Sequence, residues 1–364
     1  MLSAGLRKAL GFLVLAIIGR CVKDRFTKAH VAGIQKLILD TMLPCIIFKA
    51  LCSIRFNVSL FIWPLLGTGL LVWNFCYAYI YTRIALGKTP AGRTALFELA
   101  TTAPGLSAMV FIKEFIGEEA AGKAALFDLP AKMYMIFIMP KLLSYATEND
   151  LKKNDIARPL ETNQPFKSFF TILSDPLNVS IIAGLIMTAT GTPLNSLSFI
   201  ADAVSTLAAA QTPVLFVLLG MKLKLSGVAP AICIGLLFLR HAAAYAFFSL
   251  IFLFQPFESL DDITTILLLT QAAVSVFGWS QMSKAVDSGI SGYNPDLAFD
   301  IVGFSMPITM TLQTVACLVE DRSTLHSNIA LLAPFFTFFF GGALLFSIRS
   351  QLKSFCSSSH SHSS

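Results

Sequence analysis

Long apolar runs alternate along this chain with short polar or turn-rich breaks, and most runs are apolar throughout rather than striped. A helix needs about 20 mainly apolar residues to cross the ~30 Å hydrocarbon core of a bilayer, and that length is the yardstick for each run. Eleven candidate spans follow, near residues 8–22, 31–52, 58–82, 94–116, 122–146, 174–191, 198–221, 227–254, 262–284, 297–319 and 326–348. The pattern predicts an all-α polytopic membrane protein. One extended hydrophilic connector, "ATENDLKKNDIARPLETNQP", follows the fifth span and divides the chain into halves.

The halves resemble each other. At an offset near 169, "LPCIIFKALCSIRFN" lies over "TPVLFVLLGMKLKLS", with Pro44 on Pro213. "ALFDLPAKMYMIF" matches "LAFDIVGFSMPITM", placing Asp128 over Asp300, and "LATTAPGLSAMVF" lies over "LLLTQAAVSVFGW". Three matches in the same order predict two five-helix repeats. Since five is odd, the second repeat enters the membrane from the opposite side, the inverted plan of many secondary transporters. The expected organisation is a first repeat at 1–146, a short cytoplasmic linker at 147–173 and a second, inverted repeat at 174–319. An extra transmembrane helix at 320–350 and a flexible tail at 351–364 complete it.

Composition agrees with this map: 55% of residues are hydrophobic, 13% are charged, and the mean hydropathy is +0.72. Basic residues gather in cytoplasmic loops, so their distribution orients the chain. With the N-terminus outside and the C-terminus inside, 17 of the 27 Lys and Arg fall in cytoplasmic loops and 6 on the other side. The net charge of +6 is thereby accounted for without nucleic acid. The first span is short and follows Arg7 and Lys8, so a signal-peptide core is its alternative reading. The seven cysteines show no metal-ligand spacing, and neither a metal nor a cofactor is expected.

Candidate chemistry lies where apolar helices are interrupted. Unpaired backbone at membrane depth is tolerated only where it packs in protein or lines a cavity. In span four, "TTAPGLSAM" puts Pro104 and Gly105 near mid-membrane, where proline removes a helix hydrogen bond and glycine loosens the backbone. A half-helix starting there would offer free N–H groups and a positive dipole end to an anion, with hydroxyls from Thr101, Thr102 and Ser107. The alternative is a simple proline kink. In span nine, Gln271 and Ser275 share one helical face.

Charges within spans are costly and mark function by default. Lys132 is the candidate cation for the anion, although Asp128, four residues earlier, could simply neutralise it. Lys49 and Arg240 are expected to snorkel toward an interface, and Glu98 to lie near water at the cytoplasmic end of span four.

"LPCIIFKAL", "SDPLNVSIIAGLIMTATGTPL" and "QTPVLFVLLGMKLKL" resemble the auxin efflux carriers and related permeases, which include the plant PIN carriers. The resemblance covers roughly residues 9–319 and rests on apolar patterns. It implies a ten-helix 5+5 inverted repeat of the bile acid/sodium symporter type, with two crossing broken helices at spans four and nine. It also implies export of a small organic anion such as indole-3-acetate. The chain departs from the family pattern at Thr102, near the family's Asn position, and at Val274, where the second crossover usually has proline.

The expected function is therefore secondary transport of a small organic anion by alternating access. Its partners would be that anion, the lipid bilayer and a second copy of the chain in a homodimer. A sodium-coupled symporter of the same fold is the first alternative, with Gln271, Ser275 and Glu98 as ligand candidates. A lipid or sterol sensor without transport is the second. No enzyme is expected: neither a His-Glu-x-x-His motif nor a suitably placed Ser and His occurs.

Overall fold

The structure, a computed structural model, describes residues 4–54, 57–85, 89–100, 112–114, 117–134, 176–222 and 230–254, residue 138, and short pieces between 293 and 305. The described residues form helices and turns, with no strand among them. In chain order the α-helices are α1 Ala4–Val22, α2 Lys28–Leu37, α3 Leu43–Cys52, α4 Ile62–Ala85, α5 Pro90–Ala100, α6 Glu118–Met133, α7 Pro176–Thr190, α8 Phe199–Lys222 and α9 Pro230–Phe254. The candidate spans at 262–284 and 326–348, the linker and the tail lie outside the described residues.

Helix ends follow local chemistry. Thr27 caps α2: its Oγ1 accepts the His30 N–H at 3.3 Å while its own N–H donates to His30 Nδ1 at 3.4 Å. α7 stops at Gly191, whose φ of 66° is left-handed. There Gly191 N–H donates to Thr188 O and Thr192 N–H to Met187 O, closing the last turn. α1 begins four residues before the apolar run that predicts it and takes in Arg7 and Lys8, so the first helix is 19 residues long.

The two prolines on matching repeat positions are accommodated differently. Between α2 and α3 the chain winds as a π-helix over Ile38–Met42, and Leu43 N–H reaches back five residues to Ile38 O. Pro44 follows directly in the same continuous winding, where the looser π turn ahead of it accommodates a residue with no N–H to give. Pro213, by contrast, lies inside α8, which runs unbroken from Phe199 to Lys222. The sequence suggests an interrupted helix at both sites; the structure has the irregular winding only at the first.

Two helices, Ala29–Cys52 and Phe199–Met221, are long and apolar enough to cross a membrane, and Pro176–Thr190 and Cys233–Phe248 are shorter apolar helices. Outward faces are apolar as well: Leu13, Val14 and Ile17 on α1, Leu65 and Val72 on α4 and Ile186 on α7 are all exposed. A water-facing helix would carry charged residues there.

The chain forms two compact units, each drawing on both sequence halves. The first holds α1, α2, α3, α7, α8 and the Glu118–Leu129 part of α6; the second holds α5, α9 and α4 from Gly67 onward.

In the first unit, α1 packs along α8, α7 packs along α3, and α3 and α8 meet each other. Small residues permit the close approach. A Cβ added to Gly19 would fall on the Val217 carbonyl, and one added to Gly220 on the Ala16 carbonyl. In the other pair, Thr188 Oγ1 donates to Leu51 O at 2.7 Å, and Gly184 faces the Leu51 side chain. The residues involved are spaced by the same offset: Thr188 lies 169 positions after Gly19, and Gly220 lies 169 after Leu51. Phe12 stacks on Phe216 with centroids 4.3 Å apart. Their counterparts at the same offset, Ile181 and Ile47, are both buried.

Candidate functional site

The candidates of the interrupted span, Thr101, Thr102, Pro104, Gly105 and Ser107, lie outside the described residues, as do Gln271 and Ser275. Lys132 stands on α6 one turn beyond Asp128, and its side chain is outside the described set. Asp128 and Asp300 are both buried, at 3% and 4% exposure. Pro44 is buried at the start of α3, and Pro213 is exposed on α8.

The second unit describes the approach to the interrupted span. α5 is described as far as Ala100, and "TTAPG" beyond it lies outside the described residues. Its first turn is tied down through Thr94, whose Oγ1 donates to Pro90 O at 2.9 Å and accepts the Asn294 N–H at 2.8 Å. Phe97 packs against Tyr293, ring centroids 5.6 Å apart. At its last described turn a guanidinium arrives from α9: Arg240 Nη1 donates to Leu99 O at 2.7 Å and to Glu98 O at 3.2 Å.

Arg240 is 2% exposed and Glu98 fully buried. This corrects two expectations. Arg240 does not snorkel, and Glu98 is not exposed to water. The sequence held a signal for the first: Arg240 stands eleventh in a helix of 25 residues, too deep for its side chain to reach either end. Beside it, His241 lies with Nδ1 2.8 Å from Leu237 O, a packed helix histidine.

α9 is also fastened to α4, where Trp73 Nε1 donates to Ala243 O at 2.9 Å and Trp73 packs near Phe247. The next residue on α4, Asn74, is 2% exposed, and neither side-chain amide atom has a hydrogen-bond partner among the described residues. Nothing in the sequence singles it out, because a lone Asn in an apolar run carries no spacing signal.

In the first unit, Lys49 on α3 pairs with Glu118 Oε1 at the start of α6, 2.7 Å away. Lys113 Nζ donates to Ala208 O on α8 at 3.4 Å. Lys49 thus has a partner within the protein, in a partly exposed pair at the ends of two helices. The crevice between them is floored by Ile46, Ala50, Ala121 and Ala208. One turn along α8, Gln211 is fully buried, and neither amide atom has a hydrogen-bond partner among the described residues.

Among the described residues no three His, Cys, Asp or Glu side chains converge on a point where a metal could sit. No protein-family model matches the chain, and no curated protein matches it.

Proposed function

We propose that the chain is a multi-pass secondary carrier for a small organic anion, built as a 5+5 inverted repeat of the auxin-carrier type, with its N-terminus outside and its C-terminus cytoplasmic. The observation that carries the reading is the interleaving of the halves. The first unit joins spans one and two to spans six and seven; α5, α9 and α4 from Gly67 onward lie in the second. A two-fold exchange of the halves turns the α1–α8 pairing into the α7–α3 pairing, and Gly19 and Leu51 stand 169 positions before Thr188 and Gly220. The division does not follow whole spans, since the start of α4 and most of α6 join the first unit.

Carriers with inverted repeats bind substrate near the bilayer midplane at discontinuous helices and alternate access by rocking one body against the other. An interleaved pair of units supplies two such bodies. The apolar outer faces of α1, α4 and α7 suit lipid, and Pro104 and Gly105 supply the discontinuity. Thr101, Thr102 and Ser107 then line the anion site, with Gln271 and Ser275 from the second crossover and Lys132 as the cation.

The test is substrate-evoked current from purified protein in liposomes on a solid support, screening indole-3-acetate, dicarboxylates and bile acids with and without sodium. Current from one anion in sodium-free buffer, abolished in a folded Pro104→Ala/Gly105→Leu variant, is the expected result. Current that requires sodium would replace uniport by symport. Saturable binding without current in any condition would replace the carrier by a sensor.

A further inference from the structure

We infer that the face of the second span carrying Gly33, Lys36, Leu37 and Asp40 fronts water at membrane depth, as one wall of an aqueous passage. What moves along that passage rests on the carrier reading; water at this face does not.

The four residues follow one another at steps of three, one and three, so they share one side of the helix, and all four are exposed. The opposite side, with Val31, Ile34, Ile38 and Met42, packs with Val214 and Leu218 of α8. Apolar residues against protein and charged ones outward is the pattern of a helix that meets water. The outward residues of α1 and α4, such as Val14 and Leu65, are of the opposite kind. α8 has a strip like that of the second span: Asp202, Thr206 and Ala209, 169 positions after Gly33, Leu37 and Asp40, are exposed and none is a large apolar residue.

Asp40 carries the argument about depth. The helix Ala29–Cys52 is long and apolar enough to cross a membrane. At about 1.5 Å per residue, Asp40 stands roughly 15 Å or more from either of its ends. A lysine can reach back to an interface along its stem, but an aspartate has a single methylene and cannot. Charges this deep face the bundle interior or a water-filled cavity, or are paired. Asp40 is exposed rather than interior, and neither it nor Lys36 has a side-chain hydrogen bond or ion pair among the described residues. The hydroxyl next to it, Thr41 Oγ1, donates to Leu37 O. Water is the partner that remains. Asp40 is also the central residue of the π winding over Ile38–Met42, a kind of turn that is frequent at functional sites.

The experiment is thiol modification of the full chain in lipid nanodiscs by a positively charged, membrane-impermeant methanethiosulfonate. Peptide mass spectrometry reads each position separately, so the native cysteines stay in place. Gly33→Cys, whose added Cβ meets nothing within 4 Å, Leu37→Cys and Asp40→Cys report on this face. Val14→Cys and Leu65→Cys report on lipid. Positions 33, 37 and 40 are expected to react at least about tenfold faster than 14 and 65, because the charged reagent arrives only through water. Rates no higher than at 14 and 65, in variants with the parent's thermal stability, would overturn the inference and set this face against lipid or other protein. Reaction at 33 with none at 37 and 40 would overturn it as well, confining water to the first turns of the helix. Leu37→Cys carries the reading of depth if Asp40→Cys does not fold. No substrate enters this measurement, so failure of the carrier reading leaves its outcome intact. If both hold, Lys36→Gln raises KM for the anion and Asp40→Asn lowers it, since the first charge attracts the anion on its way in and the second repels it.

Discussion

The α1–α8 and α3–α7 pairs occupy matching places in the first unit and are closed by different means. In the first pair, Gly19 and Gly220 each lie against a carbonyl of the opposite helix, so the two backbones touch at two points with no side chain between them. In the second, only Gly184 is a glycine, it faces a side chain, and a hydroxyl bond from Thr188 to Leu51 O completes the contact. In lipid, water provides no hydrophobic drive between helices, and small residues and interhelical hydrogen bonds are the two common replacements. The α1–α8 pair uses the first and the α3–α7 pair adds the second.

The sharpest way to break the comparison is steric. Gly220→Leu or Gly19→Leu puts a side chain where a backbone already lies, and neither helix can yield locally. A loss of about 3 kcal/mol or more is expected, read as a collapse of thermal stability of the purified chain. Stability within error of the parent would show that α1 and α8 do not approach this closely.

Gly184→Ala is milder, because the new Cβ meets the Leu51 Cβ at 2.8 Å rather than falling on a backbone carbonyl, and a small shift between the helices makes room. About 1 kcal/mol is expected, and Leu51→Ala in the same chain should relieve part of the clash in a double-variant cycle. An additive cycle would separate the two residues.

Thr188→Val keeps the volume and deletes the hydroxyl donor. Interhelical hydrogen bonds of this kind average about 0.6 kcal/mol, and chemical denaturation of the two proteins side by side measures that difference. A loss as large as that of the glycine variants would end the distinction between the interfaces. The smallest effect belongs to Lys49→Met, which deletes a partly exposed ion pair with Glu118 and should cost under about 1 kcal/mol, less still in high salt.

How much of this could be read beforehand depended on what each feature requires. The helices at 176–190, 199–222 and 230–254 fall within a few residues of the apolar runs that predict them, because "TGTPLNS" and similar turn signals bound those runs sharply. Partners were not legible. Nothing in "LLFLRHAAAY" states that Arg240 meets the carbonyls of Glu98 and Leu99 more than 140 positions earlier, and an arginine in an apolar run reads first as a snorkelling one. Pro213 misled for a related reason. A proline signals a missing N–H, while whether the helix bends or breaks depends on packing that the sequence does not display.

The winding over Ile38–Met42 works as a phase shift. An extra residue taken into one helical turn rotates everything downstream by about 100° relative to what came before. α2 and α3 thus follow one axis while presenting faces that a continuous α-helix would not align. Deleting a single residue from this stretch would undo the offset, turning Lys49 off the side that meets Glu118 and Leu51 off the side that meets Thr188. One residue of surplus, placed just ahead of Pro44, decides the angular setting of the whole second span.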